Sequence, residues 1–184
     1  MPARSMPTKQ TPADRLRRLA ASVLHPGLLL HPFRLLHYYG YSHVVPRSRM
    51  ILGRGVRIAP NASFAHGERI ELGDAVQVGA RTSLWAGKAT GRITVGARTT
   101  IGPDCFVTAA DYGLAAGQRI TDQPMTERDV TIGPDCWIGT RCVITAGVTL
   151  GEGCVIGAGS VVTRDVPAFA IAAGVPARVL RQRD

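Results

Sequence analysis

Aliphatic residues recur at every sixth position along most of this chain. From Ile132 to Pro167 six hexads follow one another without a break, opened by Ile132, Ile138, Ile144, Leu150, Ile156 and Val162. Glycine follows the opener in four of the six, and a small or β-branched residue stands at the fifth place. A period of six matches neither a helix nor a simple alternating strand. It matches a chain that turns a corner every six residues and closes a three-sided coil every eighteen.

The same frame extends backwards through Leu52, Ile58, Phe64, Leu72, Val78, Leu84, Val95, Ile101 and Val107, giving fifteen hexads, or five coils. The step is six except for eight after Phe64, eleven after Leu84 and twenty-five after Val107. Each irregular step follows the third hexad of a coil, so all three insertions leave the prism at one corner. The longest adds nineteen residues and makes a protruding loop over 109–130, a kind of excursion that often carries function. The pattern predicts an all-β solenoid over residues 51–167, its openers stacked inside a narrow prism and its coils about 4.8 Å apart. Glycine after each opener is expected to serve backbone conformations closed to other residues. Solenoid coils touch only their neighbours, so the flat sides are expected to be buried in an oligomer, and a three-sided prism suits threefold assembly.

Residues 1–50 read as a basic N-terminal extension with short helices. Residues 13–24 form a short amphipathic pattern with Leu16, Leu19, Val23 and Leu24 near one face. His25-Pro26 and His31-Pro32 are expected to interrupt helices. Residues 168–184 read as a C-terminal tail or short helix. Of the net charge of +9, residues 1–50 carry +7 and the remaining 134 residues only +2. The plain reading of that arm is a solvated face; the sharper one is peripheral docking on an anionic membrane or an anionic lipid-linked substrate. No apolar run reaches membrane-spanning length and no secretory signal stands out, so the expected location is cytoplasmic, with the arm at the inner face of the membrane. No nucleic-acid-binding motif accompanies the charge, so nucleic acid is not an expected partner.

All four cysteines, Cys105, Cys136, Cys142 and Cys154, occupy the fifth place of a hexad. They are expected to be buried free thiols, Cys136 above Cys154 on one face and Cys105 with Cys142 on another, as in a reducing compartment. Metal-ligand spacing is absent, and four of the five histidines (His25, His31, His37, His43) precede the first coil, so no metal is expected.

The hexads, together with Trp137-Ile138-Gly139, the run from Gly157 to Val162 and Ala173-Gly174-Val175-Pro176-Ala177-Arg178, resemble the hexapeptide-repeat acyltransferases. The likeness is closest to sugar O-acetyltransferases of the maltose/galactoside and polysaccharide-biosynthesis type, over about residues 50–182. It implies a left-handed parallel β-helix, a homotrimer with active sites between subunits, and acetyl-CoA as acyl donor along a groove between coils. It assigns donor contacts to Thr140, Ala158, Thr163, Arg164, Arg178 and Arg181. The chemistry agrees: glycine and alanine let an extended pantetheine approach the backbone, and arginines suit the phosphates of CoA.

In such relatives the long loop carries a histidine that takes the proton from the acceptor hydroxyl. Here the corresponding run is Thr108-Ala109-Ala110-Asp111-Tyr112-Gly113, with Tyr112, or in another register Ala110, in the histidine place. No histidine occurs in residues 67–184. A positioned base contributes about 10²–10⁴ in rate, so its substitute matters. Asp111 would serve if desolvated beside Ala109-Ala110, and Tyr112 if a cation such as Arg119 or Arg128 lowered its pKa. His66 of a neighbouring subunit is a further candidate. Trp85 is expected beneath the loop, facing the same cleft, where a sugar could pack on its ring. The sequence thus favours transfer of an acetyl or other acyl group to a hydroxyl of a sugar or glycan precursor, a lipid-linked one if the basic arm docks on its anionic carrier. The alternatives are a catalytically degenerate trimer that binds CoA or sugar or scaffolds a partner, and transfer to an amine.

Overall fold

The structure is a computed structural model that describes residues 11–184; the first part of the basic arm, with Arg4 and Lys9, lies outside them. A boundary between Tyr39 and Gly40 separates two compact units.

The first contains two helices. Helix α1 (Pro12–Val23) starts on a capping box in which the Thr11 hydroxyl accepts from the Asp14 amide and the Asp14 carboxylate accepts from the Thr11 amide. It ends just before His25-Pro26, where the proline disfavours a helical residue before it. Helix α2 (Pro26–Tyr39) keeps Pro32 inside it. The expected break at His31-Pro32 therefore does not occur; the ring costs the bond to the Leu28 carbonyl, which water can satisfy because no residue of this helix is buried.

In the second unit the hexad frame holds throughout. The first face of the prism contains strands Ile51–Leu52, Ile70–Leu72, Ile93–Val95, Val130–Ile132 and Thr149–Leu150. Arg57–Ile58, Gln77–Val78, Thr100–Ile101, Trp137–Ile138 and Val155–Ile156 form the second. Ser63–Ala65, Ser83–Trp85, Phe106–Thr108, Val143–Ile144 and Val161–Val162 form the third. All pairings between coils are parallel, and openers stack on openers, as in Ile58 on Val78 and Ile138 on Ile156. Every opener from Phe64 to Val162 is buried; Leu52, in the first coil, is 40% exposed. The prism is a left-handed β-helix of about five turns.

The glycines correct one expectation. The fourth place of the hexad, not the second, takes the left-handed conformation, at Asp104, Asp135 and Arg141 as at Gly147, Gly153 and Gly159. The second-place glycine is needed for closeness between coils: a Cβ on Gly139 would lie 2.7 Å from the Ala158 amide nitrogen of the coil above. Steric exclusion between stacked corners, rather than φ, selects glycine there.

Both ends of the ladder are covered. A π-helical turn (Gly40–Val44) and α3 (Val45–Ser48) pack on the first coil, with His43, Pro46 and Met50 buried. At the other end the residues expected as a tail or short helix form an antiparallel hairpin, Ala170–Gly174 with Ala177–Gln182, that adds two strands to the second face. Ala172 stacks on the opener Ile156 and, like Ala170, is buried, so the hairpin replaces a sixth coil and closes the apolar ladder.

Candidate active site

Two corners of the prism carry the residues singled out by the sequence. The second corner joins the second face to the third; the third corner joins the third face back to the first.

At the second corner Thr140 and Ala158 are stacked neighbours, and the Gly159 amide donates to the Thr140 carbonyl at 2.8 Å. The Thr140 hydroxyl donates to the Pro103 carbonyl one coil below, at 2.9 Å. Gly174 continues the column, its amide donating to the Ser160 hydroxyl at 3.1 Å. Arg178 is paired with Ala173 beside this edge, and Arg181 with Ile171 further across the second face. Arg178 is exposed; Arg181 forms a surface ion pair with Asp184 at 3.4 Å. Trp137 is 59% exposed on the second face. With Val155, Ile171, Arg98, Asp135 and Arg183 it lines an open groove of about 620 Å³. Thr140, Ala158 and Gly174 thus form an edge with little side-chain bulk, flanked by the Arg178 guanidinium.

The third corner carries everything else. Thr163 and Arg164 leave the third face there, both exposed. Trp85 ends its strand one coil below Thr108 and packs edge-on against Phe106, ring centroids 5.1 Å apart. It is half-exposed and lies directly under the long loop, as its carbonyl accepts from the Ala109 amide at 2.9 Å. The loop leaves as a short strand, Ala110–Asp111, and returns antiparallel as Thr126–Glu127, with Asp111 opposite Thr126. The Asp111 carboxylate is 43% exposed and sits 3.6 Å from the Arg128 guanidinium, so a single subunit does not supply the apolar enclosure that would make it a strong base. Tyr112 follows it at the rim, 55% exposed. His66 occupies the lowest level of the same corner in a left-handed conformation, with Nδ1 3.9 Å from a Glu68 carboxylate oxygen.

The four thiols are buried and unbridged, with Cys136 and Cys154 sulfurs 3.6 Å apart. Contact with a neighbouring cysteine and burial push the Cys105 and Cys154 thiols up. Among the described residues no group of three or more His, Cys, Asp or Glu could hold a metal ion.

The structure also brings in residues that sequence reasoning missed. Glu127 reaches from the long loop into the shorter insertion of the coil below. Its carboxylate accepts from the amides of Ala89 (3.0 Å), Thr90 and Gly91 (2.8 Å) and from the Thr90 hydroxyl. These amides hold its pKa at about 2, against an ordinary 4.5. Asp129 accepts from the Arg92 amide at 2.8 Å. Gln123, 7% exposed, ties the loop to itself through Ala115 and Gln118. The two insertions at one corner are thus a single stitched platform around Asp111 and Tyr112. The stacking of insertions was legible in the hexad spacing, but nothing in it said which acid bridges them.

The donor-type residues of the second corner and the platform of the third lie at opposite edges of one face, a full hexad of extended chain apart, or roughly 20 Å. One subunit does not bring the two groups together. Thr163 and Arg164 share the platform's edge; Thr140, Ala158 and Arg178 do not.

Known proteins resemble this chain in sequence and fold. Residues 129–164 match the bacterial transferase hexapeptide (six repeats) family. A putative colanic acid biosynthesis acetyltransferase, WcaF, of Escherichia coli K12 is 32% identical over 132 residues, covering 72% of this chain and 69% of WcaF. The probable acetyltransferase Rv3034c of Mycobacterium tuberculosis is 29% identical over 162 residues; the match covers 77% of this chain but only about half (52%) of Rv3034c. Among solved structures, the hexapeptide-repeat acetyltransferase VCA0836 of Vibrio cholerae O1 biovar eltor, complexed with acetyl coenzyme A, superposes with a TM-score of 0.68 at 29% identity. The superposition covers 76% of this chain and 75% of that one. With its buried hexad ladder, the match to the hexapeptide model and a relative 32% identical that is covered over 69% of its length, the chain belongs to the hexapeptide-repeat acetyltransferase family.

Proposed function

We propose that this protein transfers an acetyl group from acetyl-CoA to a hydroxyl of a sugar or glycan precursor, in clefts between the subunits of a homotrimer. The observation that carries the reading is the separation of the two residue groups. A threefold arrangement that sets the second corner of one subunit against the third corner of the next completes a site that neither edge forms alone. Thr140, Ala158 and the guanidinium of Arg178 from one subunit, with Thr163 and Arg164 from its neighbour, would border the donor; Arg181 would meet its phosphates at the outer end. Trp85 would lie under the acceptor, offering a ring face to a sugar. The family relation to a polysaccharide-biosynthesis acetyltransferase supports a glycan acceptor.

In the reaction the acceptor oxygen attacks the thioester carbonyl, its proton passes to a base, the carbon–sulfur bond breaks, and the thiolate leaves as CoA after taking a proton. Asp111 is the base we assign. Arg128 fixes its carboxylate, and closure of the cleft by the neighbouring subunit would supply the desolvation that the single chain lacks. Tyr112 adjoins it as a hydrogen-bond donor to the acceptor. Orientation of two bound reactants carries a large share of the acceleration.

The test is CoA thiol release from acetyl-CoA with a panel of free sugars, nucleotide sugars and aminosugars. Acceptor-dependent release with hydroxyl acceptors is expected. Asp111→Asn should lower kcat by about 10² or more and Tyr112→Phe by about tenfold. Losses under threefold in both would remove the assignment at 111–112. Tight CoA binding with no acceptor-dependent release would establish the second reading, a CoA- or sugar-binding trimer without catalysis, which the lack of histidine in residues 67–184 favours.

A further inference from the structure

The two helices of the first unit bury none of their residues. On α1, Leu16, Leu19 and Val23 fall within a narrow stripe, while Arg17, Arg18 and Asp14 point the other way and Arg15 flanks the stripe. The three apolar side chains are 58–68% exposed. On α2 the apolar arc is broader: Leu29, Phe33 and Leu36, at 69–77% exposure, form its centre, with Arg34, His31 and His37 on the remaining arc. Residues 11–39 carry four arginines and one acid. Nothing in the acyl-transfer site uses these side chains.

From these faces we infer that the arm is a peripheral anchor, lying flat in the headgroup region of an anionic phospholipid bilayer. The apolar stripe of α1 and the arc of α2 enter the acyl boundary. Arg15 remains at the level of the lipid phosphates with its stem along the apolar surface, and Arg17, Arg18 and Arg34 face the anionic headgroups from the polar side. Charge complementarity selects this occupant: four arginines against one acid over residues 11–39 match anionic headgroups, whereas two such arms carry like net charge. Lying is favoured over crossing: no described helix is long and apolar enough to span by itself, and the pair Pro12–Val23 with Pro26–Ser48 that passes that test jointly is bent by 47°. A span drawn from its apolar stretch after Arg18 would take Arg34 into hydrocarbon. The inference stands apart from the acyl-transfer reading, because it needs neither donor nor acceptor.

The full chain is sedimented with vesicles of phosphatidylcholine alone and of phosphatidylcholine with one-third phosphatidylglycerol. Binding to the anionic vesicles at least about tenfold tighter than to the neutral ones is expected, falling steeply with added salt. Arg17→Ala with Arg18→Ala should weaken anionic binding about fivefold per arginine. Leu16→Gln with Leu19→Gln should weaken binding to both vesicles. All four changes are at exposed positions, so the circular dichroism of the prism should be unchanged. Equal binding to both vesicle types, or none, overturns the proposal. So does binding that survives molar salt and alkaline carbonate, which marks a spanning segment, and so does a change of oligomeric state in the leucine variant without vesicle binding, which marks a second copy as the occupant.

Discussion

Replacing Glu127 by glutamine tests whether the two insertions work as one platform. The carboxylate is the hub of the contact, accepting from three consecutive amides and one hydroxyl of residues 89–91. Glutamine keeps one acceptor oxygen but turns an NH₂ toward donors and removes the charge. The carboxyl pKa of about 2 against 4.5 gives the direction of the effect; because the group is open to solvent, screening holds the contact to about 1 kcal/mol. That is about fivefold in the population of the open platform. Hydrogen exchange at the amides of Ala89, Thr90 and Gly91 reads it directly: exchange at pH 7 should be faster by that factor in Glu127→Gln, with the amides around Ile138 and Ile156 unaffected. The pH dependence has a definite sign. A carboxyl whose pKa is lowered in the closed state stabilises fully above about pH 4.5 and loses that contribution as pH falls toward 2. Corrected for intrinsic chemistry, protection in the unmodified protein should therefore decay toward that of the variant across this window, and the variant should show no such decay. Exchange at residues 89–91 within threefold of the unmodified protein at pH 7 would refute the reasoning.

Three further outcomes are expected. Gly139→Val should cost about 3 kcal/mol, or unfold the protein outright, because its Cβ would sit 2.7 Å from the Ala158 amide nitrogen; an unchanged urea midpoint would show that the corners have slack. Arg164→Ala and Arg178→Ala should each raise the KM for acetyl-CoA about tenfold with kcat within about twofold, the mark of lost ground-state binding; a fall in kcat alone would place them with the acceptor instead. The native protein should leave all four buried cysteines unreacted with Ellman's reagent and release four equivalents on unfolding; fast reaction of any one would show that the prism opens.

The repeat frame was legible from end to end because its cause is local and periodic. An opener every six residues puts one aliphatic side chain per face inside a prism too thin for any other arrangement, and the fifth-place cysteines follow for the same reason. The same frame correctly put all three insertions at one corner, since an insertion that preserves the ladder must leave it between openers. The sequence does not reveal the role of the second-place glycines, because contact between coils, not local φ, excludes a Cβ at Gly139. Nor does it reveal the hairpin at 170–182, where it predicts a tail or short helix: the strands pair with a finished coil, and that edge exists only once the prism is built.

Sequence alone determined the solenoid, its coil count, its core and the corner from which the long loop leaves, since each depends on residues a fixed number of places apart. Only the tertiary structure decided what the candidate site residues face. It placed Thr140, Ala158 and Arg178 on one edge and Thr163, Arg164, Trp85, Asp111 and Tyr112 on the other. It also joined Glu127 to the amides of residues 89–91, more than thirty-five positions away. Those relations come from stacking coils and folding two insertions against each other, and no periodicity encodes contacts between segments that interrupt the period.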